Sequence, residues 1–150
     1  MIGGTIASQF ASPDSVAEWI ALARMLERRA RLLADDRALA SGAWNDAGFA
    51  VECAIKAVIM YRERLNRWPE KAEHPEYYDH NLKRLAALAG IAITPSHPIA
   101  AAFKVVFDWN RSQTYSYKAM PRAVARGMVE AAFGEEGVVP WLCLNCLPKP

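Results

Sequence analysis

Along this chain apolar residues recur every three to four positions, the spacing of an amphipathic helix, and no segment sustains the two-residue alternation of a half-buried strand. Ser12-Pro13 and then Ser15-Val16-Ala17-Glu18 supply a proline near a first turn and a capping-box pattern. From there Trp19, Ala23, Leu26, Ala30 and Leu33 share one face, which predicts a first helix ending near Asp36. Arg24, Arg28 and Arg31 form a basic stripe elsewhere on it, diluted by Glu27, Asp35 and Asp36, and this reads as a solvated face. A second helix is predicted over residues 41–67, stopped by Pro69. From Ala47 to Lys56 it is apolar almost all round, with Glu52 and Lys56 as the only charges before Arg62. A helix apolar on every side is the buried centre of a bundle, and charges on it need partners.

The remaining elements follow from punctuation. Residues 69–78 are charged and proline-containing and read as a loop; Asn81 to Ala89 form a third helix with Leu82, Leu85 and Leu88 facing inward and Gly90 closing it. Ser96 or His97 caps a fourth helix from Pro98, whose core face is Ile99, Phe103, Val106 and Trp109. Lys104, Asp108 and Arg111 fall on one line of its other face, which Tyr115 extends if the helix lasts that long. A fifth helix starts near Pro121, carries Val124, Met128 and Phe133 on its core face, and ends between Gly134 and Gly137. Short links between antiparallel helices give an all-α, up-and-down bundle of four to five helices. Residues 1–12 read as a flexible N-terminal arm and 13–137 as the bundle domain. Residues 138–150 read as an apolar tail in which Trp141, Leu142, Leu144 and Leu147 cover this bundle or a neighbouring subunit.

Composition narrows the class of protein. With 150 residues, 53% hydrophobic and 23% charged, the chain suits one domain with a single core. A net charge of +2 does not by itself point to nucleic acid. Arginine outnumbers lysine two to one, which favours bidentate phosphate contacts, although codon usage produces the same bias. No run approaches the roughly eighteen apolar residues of a membrane helix, and Met1 to Ser12 lack the basic and apolar regions of a signal peptide. Three cysteines, one inside the second helix, argue against a secreted disulfide framework, so a cytoplasmic location is expected. Cys143-x-x-Cys146 has the spacing of half a zinc site but no second pair follows it, so a packed tail is expected and no metal or other cofactor is assigned.

Three segments in order resemble the HEPN superfamily, the higher eukaryotes and prokaryotes nucleotide-binding domains. Phe49 to Ala57 is similar to the family's apolar helix with a Glu and a Lys one turn apart. Asp79-His80-Asn81-Leu82-Lys83-Arg84-Leu85 is similar to the His-x-Leu-x-x-Leu opening of its next short helix, and Trp109 to Tyr115 to the Trp-to-Arg-to-Tyr region of its fourth. Together they span Phe49 to Tyr117. The resemblance implies a four- or five-helix bundle, usually a homodimer, found as metal-independent endoribonucleases of toxin–antitoxin and phage-defence systems or as non-catalytic modules binding RNA or nucleotides. An antitoxin or a nucleotidyltransferase is the kind of partner protein it implies.

Catalytic members carry an Arg, four to six residues, then a His. Arg111 matches the Arg, but no histidine follows it, and Tyr117 stands in the window instead. Cleavage through a 2′-hydroxyl needs a proton acceptor near neutral pH, which imidazole supplies and a free phenol with its pKa of about 10 does not. Arg67 and His74 keep the literal spacing, but they lie at a helix end and in a proline-rich loop, and the match is taken as chance.

A binding module with a degenerate motif is therefore expected. Arg111 would hold a phosphate, Tyr115 and Tyr117 would stack or hydrogen-bond, and Lys104, Asp108 and Lys118 would complete the charged and polar surface. Glu52 is expected to orient Arg111, with Lys56 as a structural or site partner and His80 as a cap of the third helix or a partner for a backbone group. The alternatives are an active ribonuclease using Arg111 with Tyr117 or another group, and a non-catalytic dimeric scaffold. The same Arg and aromatic residues also suit a protein interface.

Overall fold

The helix that is apolar on every side lies at the centre of the molecule. A computed structural model describes residues 11–149, so the predicted arm falls almost wholly outside the described residues. Among them every regular element is helical. The order is α1 (Val16–Leu33), α2 (Ala40–Arg62), α3 (Leu82–Leu88), α4 (Ala100–Val106), α5 (Arg122–Phe133) and α6 (Val138–Asn145), with short 3-10 turns at Pro75–Tyr78 and Arg111–Tyr115. Ser15 accepts from the Glu18 amide at the start of α1, as the capping pattern predicts. Helix α2 packs along α1, and α3, α5, α6 and the Arg111–Tyr115 turn close around it. Of residues 47–60 only Phe49 is not fully buried. A fork from Arg29 to Asp46, at 2.7 and 2.8 Å, ties α1 to α2.

Helix α2 stops at Arg62, not Arg67. Arg64 has φ of 54°, the Leu65 amide donates to the Met60 carbonyl at 3.0 Å, and the Arg64 amide donates to Tyr61. That is a Schellman reversal with arginine in the left-handed position, a place where a Cβ costs roughly 1–2 kcal/mol. Half-buried Leu65 accompanies the turn, and Trp68 then returns to pack edge-on against Trp19 at 5.1 Å between ring centroids. Gly90, at φ 70°, makes the same reversal after α3 and is the C-cap expected of it.

The fourth helix also ends early. Helix α4 covers only Ala100–Val106, and Asn110 starts the separate turn Arg111–Tyr115. Asn110 accepts from the Ser112 amide at 2.8 Å while the Gln113 side chain accepts from the Asn110 amide at 2.9 Å, a reciprocal cap that restarts the chain in a new direction. Lys104, Asp108, Arg111 and Tyr115 therefore do not share one helix face. Trp109 remains buried, because Gly48 lets α2 approach its indole: a Cβ at Gly48 would lie 2.1 Å from the ring.

Three other expectations shift. The core face of α5 is Ala125, Met128, Val129, Ala132 and Phe133, which leaves Val124 exposed. In α3 the stripe runs through Leu82, Leu85, Ala86 and Ala89, and Leu88 faces solvent. The apolar tail forms α6, whose Val138, Val139 and Leu142 are buried against this chain's own α2, α5 and α4, while Leu144 is exposed. His97 accepts from the Ile99 amide at 3.1 Å just before α4 and meets Trp141 edge-on.

The link from α2 to α3 carries site residues, and it is pinned. Arg67 forks onto Glu73 at 2.6 and 2.9 Å, and Tyr78 donates to the Pro69 carbonyl at 2.7 Å. His74 pairs with Glu76 and stacks on Tyr77, so Arg67 and His74 serve the loop and do not face each other.

Substituting Gly48→Ala should lower stability by about 1–3 kcal/mol in urea unfolding, because the methyl overpacks Trp109. Gly127→Ala, mid-helix with nothing within 4 Å of the added Cβ, should raise it by roughly 0.5–1 kcal/mol. The hydrogen bond and charge of Arg67, with the Glu70 amide, hold the Glu73 carboxyl at a pKa of about 2. The pair's contribution is then complete above the ordinary glutamate range and disappears as pH falls toward 2. Carbon-detected NMR titration should find that midpoint, and Arg67→Ala should raise it toward about 4.3.

Candidate functional site

A carboxylate in an apolar helix needs donors, and Glu52 has two. Lys56, one turn along α2, donates to it at 2.9 Å with both side chains buried. The Lys56 ammonium also sits 5.4, 5.7 and 5.9 Å from the ring centres of Trp19, Trp68 and Tyr78, an aromatic cage assembled from α1 and the α2–α3 link. The second donor is His80, whose Nδ1 lies 3.0 and 3.2 Å from the two Glu52 oxygens. A carboxylate only accepts, so Nδ1 is the donor in this contact. The side chain of Glu52 is 1% exposed and that of His80 46%, so His80 joins a buried charge to the surface. Asn81 caps α3 by accepting from the Arg84 amide at 3.0 Å, which leaves His80 without the capping role expected of it.

His80 opens onto a polar cavity of about 400 Å³ lined by Tyr78, Asp79, Asn81, Arg84, Trp109, Asn110 and Arg111 as well. Its walls come from the link before α3, the first turn of α3 and the Asn110 turn. Arg84, one turn beyond His80, is exposed and reaches Asp79 at 3.2 Å. Burial pushes the Asp79 carboxyl up, but bonds from the Asn81 amide and Arg84 outweigh it and hold its pKa below the ordinary value. The Arg111 guanidinium lies 5.3 Å from the Phe49 ring centre. Among the described residues no carboxylate lies within ion-pair distance of it. The expected contact between Glu52 and Arg111 is thus absent: Glu52 spends its oxygens on Lys56 and His80, and Arg111 stacks on Phe49.

A second cleft of about 340 Å³ shares Trp109 and Arg111 with the first and adds Asn45, Asp46, Phe49, Thr114 and Tyr115. The Asn45 Oδ1 and Trp109 Nε1 atoms are buried there without hydrogen-bond partners. Trp44 anchors the turn between the clefts by donating to Gln113 at 2.7 Å.

Of the residues singled out in the sequence, the fold brings Arg111 and His80 to one cavity and Glu52 and Lys56 directly behind it. Tyr115 borders the second cleft but is 89% exposed, and Tyr117 is 93% exposed and borders neither. Lys104 and Asp108 lie on the exterior, outside both clefts, and Lys118 borders a smaller recess of about 160 Å³ near Trp44 and Ser41. Arg84, Asp79 and Asn110 were not foreseen. Arg84 had a signal, since it stands four residues after His80 on a helix; Asn110 had one in its Asn-x-x-Gln pattern. Cys143 on α6 and Cys146 at its C-cap are half-buried, and burial pushes both thiols up.

These features define the chain as an α-helical bundle with a cationic, polar cavity backed by a buried ion cluster. No protein-family model, curated protein or solved structure matches it.

Cys53 reports on the integrity of that cluster. Burial, and then the neighbouring Glu52 charge, push its thiol up to about 12, with Lys56 and Arg111 pulling the other way. In the native protein at pH 8 it should resist a thiol-specific disulfide reagent, and all three cysteines should react in denaturant. Rapid native labelling of Cys53, located by peptide mapping, would contradict the packing described.

Proposed function

We propose that this chain is a HEPN-like module that binds RNA or a nucleotide, with the helix-four catalytic pattern of that family degenerate. The observation that carries the reading is the Arg111 guanidinium, free of any described carboxylate partner and stacked on Phe49 at a cavity it shares with Arg84 and His80. An arginine unpaired beside polar groups suits the fork geometry of a phosphate. Phe49 and Tyr115 in the adjoining cleft offer aromatic surface for a base. The resemblance adds a toxin–antitoxin or phage-defence setting and a homodimeric state. It also adds an antitoxin or nucleotidyltransferase as the kind of partner to seek.

Tyr117 takes no part in this reading, because it borders neither cleft. A ribonuclease built on Arg111 with Tyr117 is for that reason the less supported alternative. A scaffold without a ligand is separated by the same experiment.

A short fluorescently labelled single-stranded RNA should bind at low salt in an anisotropy titration. Arg111→Ala should weaken binding by about tenfold or more, the loss of one charge-assisted contact. It should also flatten the slope of log affinity against log salt by about 0.7, the value for one phosphate contact on a single strand. Arg24→Ala, on the solvated face of α1, should leave both unchanged. Equal binding by wild type and Arg111→Ala, or no binding by either, would move the scaffold reading to the front.

A further inference from the structure

We propose that an acidic groove formed by α4, α5 and α6 is the docking surface for a basic amphipathic helix of a partner protein. The groove shares no residue with either cleft at Arg111, so the inference stands apart from the RNA reading. Two recesses make it up. One, of about 330 Å³, is lined by Ala101 and Val105 of α4, by Gly127 and Ala131 of α5, and by Glu130 and Glu136. The other, of about 440 Å³, is lined by Trp141 and Leu144 of α6 with Glu135 and Glu136. Pro98 and Glu136 belong to both, which makes the surface continuous.

Three observations choose the occupant. Glu130, Glu135 and Glu136 are exposed, and among the described residues none of them enters an ion pair. No lysine or arginine lines either recess, although the chain as a whole carries a net charge of +2. The negative charge is therefore local, and it favours a cationic partner. Beside these carboxylates Leu144 is 70% exposed and Val105 38%, so the surface offers apolar contact between acidic margins. A helix with an apolar stripe flanked by lysine or arginine matches both features. The third observation is Gly127, which stands inside α5, where glycine lowers helix stability relative to alanine. A Cβ built there meets nothing within 4 Å, so no contact within the chain requires the glycine. A docked helix accounts for it, because its backbone approaches more closely over a bare Cα than over a side chain. The chain's own segments fit the groove less well. Residues 1–10 contain no lysine or arginine, and on α1 Arg24 and Arg31 are committed to Glu27.

The test titrates the full chain into a labelled synthetic peptide of about eighteen residues, long enough to hold a helix, with leucine on one face and lysine at its margins. A counterpart carries glutamate in place of lysine. In anisotropy the lysine peptide should bind, more weakly as salt rises, and the glutamate peptide should not. Glu130→Lys combined with Glu136→Lys should weaken binding about tenfold or more, through lost pairs and opposed like charges. Glu63→Lys combined with Glu70→Lys makes the same change in net charge elsewhere on the surface and should stay within about twofold. Gly127→Gln, a better helix former that fills the groove, should keep the wild-type circular dichroism and bind about tenfold more weakly. Amide shifts on adding the peptide should cluster at residues 98–105, 127–136 and 141–145. Failure of the lysine peptide to bind, equal binding of both peptides, or an equal loss from the two double variants overturns the proposal. So does self-association of the chain that Glu130→Lys with Glu136→Lys abolishes, since a second copy would then occupy the groove.

Discussion

One buried carboxylate organises this molecule. Glu52 sits in the middle of a helix whose core residues, apart from Asp46 and Lys56, are apolar, where an unpaired charge would cost several kcal/mol. The fold answers with Lys56 on the same helix and His80 from the following link. A buried ion pair of this kind is no source of stability in itself, since its attraction is offset by desolvation. What it fixes is arrangement. Lys56 draws Trp19, Trp68 and Tyr78 around its ammonium, so α1 and the link after α2 must close over one point. His80 can reach Glu52 only once that link has folded back, which the Schellman turn at Arg64 and the Arg67–Glu73 fork bring about.

The cavity is a consequence of two interrupted helices. Had α2 continued past Arg62, the link bearing Tyr78, Asp79 and His80 would start too far along the bundle to meet Glu52. Had α4 continued past Val106, Arg111 would project from a helix face alongside Lys104 and Asp108. The Asn110 cap turns the chain so that Trp109 stays buried against Gly48 while Arg111 lies over Phe49. The same break leaves Tyr115 and Tyr117 exposed. Ionisable residues thus meet from positions 52, 80, 84 and 111, drawn together by loops anchored to the one central helix.

Much was legible in the pattern of apolar positions. The all-α class, the central burial of the second helix, the Glu52–Lys56 pair, the Gly90 cap and the core face of α1 follow from spacing and burial cost, which are local or nearly local properties. The errors cluster where a helix stops. Arg64 occupies a left-handed position that glycine usually takes, so nothing in its type announced the end of α2. Asn110 and Gln113 carry a cap signature, but it lay inside a run whose apolar period still suited a helix. On α5 a shift of one residue in the face was enough to expose Val124.

By itself the sequence determined the class of fold, the identity of its central helix and the presence there of two charges that had to be paired, because those properties depend on short-range periodicity and on the cost of burying charge. It also singled out Arg111, which the structure places in the lining of both clefts. Only the tertiary structure decided that Glu52 bonds His80 and not Arg111, that Arg84 joins the cavity, and that Tyr117 and Lys104 stand away from it. Glu52 and His80 are 28 positions apart, and the cavity joins residues as far apart as Tyr78 and Arg111; such distances are closed by turns whose direction is set by packing around the whole core.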